Sequence, residues 1–225
     1  DVKSLEDEDY VNNHYIVLCT KQGIINKSRL KDFSRPRQNG INAITIKEGD
    51  QLLEAKLTDG NCEIMMAVKS GRAIRFPELK VRPTGRGGIG VAGIDVDDAT
   101  DEVVGMVCVN VEDKTKTVLV VSANGYGKRT FLDDPETGEA NYRITNRGGK
   151  GVKTISVTAK TGSLVGLLAV TEAEDLMITC VSGITIRMPV NQISEQGRAT
   201  QGVKLIRVDD GDEIAAITQL DEKEV

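Results

Sequence analysis

The sequence predicts an all-β fold, a propeller-like array of about four antiparallel, four-stranded blades. A basic, glycine-containing loop followed by aliphatic residues ending in Ile recurs through the chain, with its glycines at 40, 90, 151 and 202, steps of 50, 61 and 51 residues. A period in that range marks a repeat architecture. Each repeat also opens with a short apolar run bounded by turn residues, the pattern of a buried strand. The composition agrees, because 23 glycines against 5 prolines suit many tight turns, and with no Trp and 3% aromatics small aliphatic side chains must fill the interior.

The elements can be taken in order. The opening strands are Tyr15–Cys19, Ile64–Val68, Val118–Val121 and Leu176–Cys180, each followed by a turn glycine, Gly23, Gly71, Gly125 and Gly183. Glycine reaches the positive φ that tight hairpins need. Four residues after each turn glycine stands a base, Lys27, Arg75, Arg129 and Arg187. Alternate residues of a strand share a face. Arg187 then opposes Ile186 and Met188, and Arg75 opposes Ile74 and Phe76, so this base is expected on the solvent face of a half-buried hairpin.

The basic loop follows, and a second strand pair follows it. Residues 41–46 lead through Glu48-Gly49-Asp50 to Leu52–Leu57, 152–157 lead through Lys160-Thr161-Gly162 to Leu164–Val170, and 203–208 lead through Asp209–Asp212 to Ile214–Leu220. The chain thus divides into one repeat domain, residues 1–225, with units at about 14–60, 61–113, 114–172 and 173–220. The third carries an insertion, Asp133–Tyr142, whose Pro135–Gly138 is a polar surface turn. Residues 1–5 line up with the last strand of an upstream unit, so residues 1–13 read as the end of an upstream blade plus an acidic linker. Glu6–Asp9 and the acidic tail at 221–225 are expected to be poorly ordered.

A formal charge of −5 hides an uneven distribution: residues 1–13 carry −4 and residues 209–225 carry −6, leaving +5 on residues 14–208. Acidic ends on a basic body keep a nucleic-acid partner open. Cys19, Cys62, Cys108 and Cys180 form no C-x-x-C pair and have no histidine ligand set nearby, which fits buried, reduced thiols of a cytosolic protein and no metal. No apolar run approaches the ~18–20 residues that span a bilayer. The chain begins at Asp1 without Met or a signal-peptide pattern and reads as an excised fragment.

The densest loop is Thr145-Asn146-Arg147-Gly148-Gly149-Lys150-Gly151-Val152-Lys153-Thr154-Ile155, with related loops at Arg35–Ile44, Arg86–Ile94 and Arg198–Ile206. With Asn124–Arg129 and Gly197–Val203, these residues resemble the C-terminal domain of the DNA gyrase A subunit. Positions 147–151 match the last five letters of that family's box, Q-R-R-G-G-K-G, while Thr145 and Asn146 replace its first Gln and Arg. The similarity runs from about residue 14 to 220. It implies a β-pinwheel, usually of about six blades that exchange strands, with duplex DNA wrapped on the outer rim. The full box lies in the family's first blade and the best copy here lies in the third unit. The chain therefore resembles the C-terminal part of such a domain. The topoisomerase IV A subunit carries a related domain with degenerate boxes.

The resemblance implies an accessory domain of an ATP-dependent type II topoisomerase with no catalytic site or cofactor of its own, since the cleaving tyrosine of gyrase belongs to another domain. Its partners would be double-stranded DNA, the rest of the A subunit and the gyrase B subunit, in the nucleoid-associated cytoplasm of a bacterium. Cations at regular intervals supply the physics, because each base that neutralises a phosphate releases counterions and carries no sequence information. The candidate DNA-binding residues are Lys27, Arg35, Arg37, Arg75, Arg86, Lys128, Arg129, Arg147, Lys150, Lys153, Arg187, Arg198 and Lys204. Blander roles compete: Arg147 and Lys150 could pair with neighbouring acids around a tight loop, and the hairpin bases could be ordinary solvated charges. A P-loop finds little support, since the spacing is wrong and a strand follows where a helix should open, and a null titration with ATP would dismiss a nucleotide-dependent enzyme. His14, the sole histidine, starts a strand and reads as packing or surface. The alternative function is a propeller-like protein-interaction scaffold, which should expose aromatic or apolar loop residues; the loops here offer Arg, Lys, Gly, Asn and Thr.

Overall fold

The computed structural model describes residues 5–35, 37–97 and 99–221. A short helix, α1 (Glu8–Asn13), precedes the first unit, which gives β1 (Tyr15–Thr20), β2 (Ile24–Arg29) and β3 (Leu52–Thr58). The second unit gives β4 (Cys62–Val68), β5 (Arg72–Pro77), β6 (Val91–Ala92) and β7 (Val103–Asn110). The third gives β8 (Thr117–Ser122), β9 (Tyr126–Phe131), β10 (Val152–Lys153) and β11 (Leu164–Val170). The fourth gives β12 (Asp175–Cys180), β13 (Thr185–Pro189), β14 (Val203–Lys204) and β15 (Ile214–Leu220).

All ladders between these strands are antiparallel, and the all-β blade architecture is as expected. The blades are not built from one unit each. Sheet orders are β3-β1-β2-β6, β7-β4-β5-β10, β11-β8-β9-β14 and β15-β12-β13, so the outer strand of each of the first three blades comes from the following unit. The fourth sheet has three strands. Residues 41–46, expected as a strand, form none.

The core is three layers between successive blades. Along β4, Ile64 and Met66 feed the layer shared with the first blade, while Met65 and Ala67 feed the layer shared with the third. Along β8, Val118 and Val120 face back and Leu119 and Val121 face forward. Both faces of a middle blade are therefore buried, which is why these runs lack polar alternation. The inner strands follow in succession, β3 on β7, β7 on β11 and β11 on β15.

The acidic N-terminal stretch differs from expectation. Asp7 caps α1, its carboxylate accepting from the Asp9 and Tyr10 amides at 3.0 and 3.1 Å, and Val11 is buried. Glu8 and Asp9 occupy the first turn, where the helix end favours negative charge. The strand-tail reading of residues 1–5 and the acidic tail fall almost wholly outside the described residues. No helix among those described is long and apolar enough to cross a membrane.

Candidate nucleic-acid interface

The periodic hairpin base is buried in three blades, contrary to the expected solvent face. Lys27, Arg75 and Arg129 are 3–4% exposed. The parity was right, but the face opposite the first apolar layer is covered by the next blade. Each base reaches into the following unit. Lys27 Nζ lies 2.7 Å from Glu78 and 4.0 Å from the centre of the Tyr15 ring. Arg75 donates to the Leu132 and Tyr142 carbonyls at 3.1 and 2.9 Å and to Asp133 at 2.6 and 2.9 Å, and it also pairs with Glu63. Its guanidinium holds the Asp133 carboxyl below the usual carboxylate range. Arg129 donates to the Ile193 carbonyl at 2.8 Å and to Glu172 at 3.1 Å, with Glu195 at 3.9 Å. These three bases are clasps between units. Arg187 remains exposed and pairs with Asp175 of its own blade at 2.6 Å.

Lys128 is also fully buried, where a surface contact was expected. Its ammonium donates to the Gly197 and Arg198 carbonyls at 2.5 Å each and to Thr200 Oγ1 at 3.1 Å, pinning the fourth unit's loop. Burial, with a smaller contribution from Arg198, lowers its pKa to about 8. None of Lys27, Arg75, Lys128 and Arg129 presents its charge to solvent.

The glycine-rich loops lie along the outer edges. The second, third and fourth each lay a two-residue strand on the preceding blade, and a Cβ at Gly202 would stand 2.6 Å from the Gly127 carbonyl oxygen. Successive loops are hydrogen-bonded to one another. Thr45 N donates to Gly88 O at 3.1 Å, Asp95 N to Gly149 O at 2.9 Å, and Ser156 N to Thr200 O at 3.1 Å. The box arginines reinforce this row. Arg147 donates to the Lys80 and Ala92 carbonyls at 3.0 and 3.1 Å, and Arg198 to the Lys153 carbonyl at 2.6 Å, leaving both half-buried. Arg72, which the sequence reading missed, likewise donates to the Lys150 carbonyl.

The remaining cations point outward. Lys153 and Lys204 occupy equivalent, exposed positions on β10 and β14, where β6 has Ala92. Lys150 is exposed and lies 2.8 Å from Asp97, the acid pairing that was the blander alternative for this loop. Arg35, Arg37 and Arg86 are exposed. So are Arg82 and Arg143, which were overlooked although each stands four residues ahead of its unit's box arginine.

The family model for the "DNA gyrase C-terminal domain, beta-propeller" matches residues 14–59, 63–110, 116–134, 137–171 and 174–221. The chain belongs to the DNA gyrase C-terminal domain family. It is 42% identical over 223 residues to the DNA gyrase A subunit of Staphylococcus epidermidis (ATCC 12228), covering 99% of this chain and 24% of that protein. Against the DNA gyrase A subunit of Staphylococcus aureus (MRSA252) it is 42% identical over 221 residues, covering 98% and 24%. The chain thus spans about a quarter of these relatives. Among solved structures, a DNA gyrase A C-terminal domain superposes with a TM-score of 0.77 at 25% identity, covering 92% of this chain and 66% of that one. The C-terminal domain of DNA topoisomerase IV shares the fold, with a TM-score of 0.83 at 20% identity over 94% and 63% of the two chains. As a gyrase-family domain, the chain carries its best box, Arg147–Gly151, on the second blade's outer edge, although those residues belong to the third unit.

Proposed function

We propose that this chain binds duplex DNA without sequence preference along the outer row of box loops, and that it bends the duplex around that row in support of a gyrase's supercoiling reaction. The single observation that carries the reading is the hydrogen-bonded succession of loops from which Arg86, Lys150, Lys153 and Lys204 project into solvent. Bending a 20–30 base-pair site by 40–90° costs about 1–6 kcal/mol, so cations must be spread over several blades to offset it. A row locked by backbone hydrogen bonds keeps their spacing fixed before DNA arrives, which reduces the ordering cost of binding.

Units at about 14–60, 61–113, 114–172 and 173–220 are the functional repeats in this reading. The staphylococcal relatives, which are gyrase A subunits, support a place in such a subunit that works with DNA and a B subunit in the bacterial cytoplasm. The buried clasps and Lys128 drop out of the DNA-contacting set, which becomes Arg35, Arg37, Arg86, Lys150, Lys153, Arg187 and Lys204, with Arg147 and Arg198 partly shielded and Arg187 paired with Asp175. The test is a titration with linear duplex DNA at several salt concentrations. If five of these bases meet phosphates, log K falls against log salt with a slope of about −4.5, at ~0.9 per contact. A flat response, or preference for one duplex sequence, overturns the proposal.

A further inference from the structure

We propose that Asp97 is a latch on the box loop Arg147–Gly151, holding Lys150 until a duplex phosphate takes its place, so that this carboxylate sets how tightly the second blade grips DNA. The inference rests on the DNA-binding reading above and names a residue that regulates it.

The loops laid on the first and third blades are pinned from beneath by polar side chains. Three and five residues after the turn glycine, the first blade has Asn26 and Ser28 and the third has Lys128 and Thr130. Asn26 donates to the Gly88 carbonyl and to Thr84 Oγ1 at 3.3 Å each, and Ser28 donates to the Gly85 carbonyl at 3.1 Å. Lys128 holds the carbonyls of Gly197 and Arg198, and Thr130 donates to the Gln196 carbonyl at 2.8 Å.

The second blade has no such pin. Its equivalent positions are Ile74 and Phe76, 2% and 0% exposed, and neither side chain can donate a hydrogen bond. A cavity of about 90 Å³ opens there instead, between Ile74, Thr145, Asn146 and Gly149. Besides the backbone row and Arg147, the box loop is fastened on its outer side. Lys150 Nζ lies 2.8 Å from one Asp97 oxygen, and the other Asp97 oxygen lies 2.9 Å from Arg72 Nη2. Arg72 Nη1 in turn donates to the Lys150 carbonyl. Asp97 therefore closes a circuit that begins and ends on Lys150. Asp101 stands behind it, 3.8 Å from Arg72 and held by the Ser70 amide and hydroxyl at 3.0 and 2.6 Å.

Opposite charges meet at these positions in this seam and not in its two neighbours. Lys47 and Ile89 occupy the places of Asp97 and Lys150 one seam earlier, and Thr158 and Gln201 occupy them one seam later. The Lys150 and Asp97 side chains are 67% and 41% exposed, so a phosphate can reach the pair. The hydrogen bond to Asp97 raises the Lys150 pKa, which keeps the ammonium charged while it is latched. A phosphate oxygen offers that ammonium the same charge-assisted bond as the carboxylate. It also releases a condensed counterion from the duplex, which the carboxylate cannot do. The exchange therefore runs toward DNA at low salt, with the lost Asp97 contact subtracted from the affinity.

The test is Asp97→Asn, titrated with linear duplex DNA beside the parent. It should bind about two- to fivefold tighter at low salt, the range an exposed ion pair is worth, and the gain should shrink as salt rises. In a Lys150→Ala background the same substitution should gain less than about 1.5-fold, because the two residues act as one pair. In the free protein, amide exchange at residues 148–151 should be faster in Asp97→Asn than in the parent, and DNA should protect these amides in both. A parent that binds with the expected salt slope while Asp97→Asn binds equally or more weakly overturns the latch alone. So does a gain of the same size with and without Lys150, which would mark general charge repulsion. If neither protein binds duplex DNA, the DNA-binding reading falls and the latch falls with it.

Discussion

Removing the second blade's clasp tests the reassignment of the periodic base from DNA contact to structure. In Arg75→Ala, Glu63 and Asp133 lose their shared cation, and the Leu132 and Tyr142 carbonyls lose a donor in a seam where Arg75 itself is 4% exposed. Truncating one partner of a buried ion pair costs about 3–5 kcal/mol, because the other charges stay behind unpaired. For a domain of 150–250 residues, each kcal/mol moves the melting temperature by about 2–4 °C, so the transition should fall by roughly 6–20 °C. Stability in a stacked array is a sum of unit and neighbour-interface contributions. The loss is therefore expected first at the seam between the second and third blades, as an earlier unfolding step or a broadened transition. The assay is a thermal melt by circular dichroism beside a DNA titration below the melt. Arg75→Ala should keep the parent's salt slope. A variant that melts like the parent while its salt slope falls by about 1 would return Arg75 to the DNA surface and refute the clasp.

Lys150→Ala with Lys153→Ala should weaken DNA binding uniformly across sequences and reduce the salt slope by about 2, with the melt unchanged within the ~0.5 kcal/mol usual for surface substitutions. Lys128 has a folded pKa of about 8, below the unfolded value of ~10.4, so the folded protein binds fewer protons in that window. The parent should therefore gain stability relative to Lys128→Met as pH rises from about 8 towards 10.4, read from melts at stepped pH. Asp133 is shifted the other way by its bond to Arg75. Its contribution is present above the unfolded carboxylate value of ~3.9 and is lost only as pH falls through the lower folded value, so Asp133→Asn should erase an acid-side difference from the parent. Asp7→Ala removes the cap of α1 and should cost about 1 kcal/mol, visible as faster amide exchange at Asp9 and Tyr10.

Much of this architecture was legible because its causes are local. The turn glycines, the apolar runs and the basic loops repeat in register, and each is set by a few adjacent residues. What escaped depends on contacts between units. The outer strands β6, β10 and β14 are two residues long and pair with a neighbour's hairpin, so no run of residues announces which blade they complete. The side of each hairpin that carries the base was correctly read, yet burial of that side is decided by the next blade. β13, which has no described neighbour on that side, shows the alternating exposure expected of a half-buried hairpin. At the interface, the glycines marked the loops, but only geometry separated Arg147 and Arg198, bound to carbonyls, from the exposed Lys153 and Lys204. The acidic run before β1 was read as charge alone, although Asp7 followed by two acids is also a helix start.

The donated outer strand sets a timetable for synthesis. β2 of the first blade is complete at Arg29, but the strand that covers it begins at Val91, roughly 60 residues later. At about 5–20 residues per second, the first blade waits some 3–12 s on the ribosome with its outer edge bare. The second and third blades wait in the same way for β10 and β14. Each unit thus emerges as the missing piece of the one before it, and an uncovered strand edge travels along the nascent chain until the next unit arrives. Pausing or truncation at any point leaves one such edge, the form most prone to pair with the wrong chain.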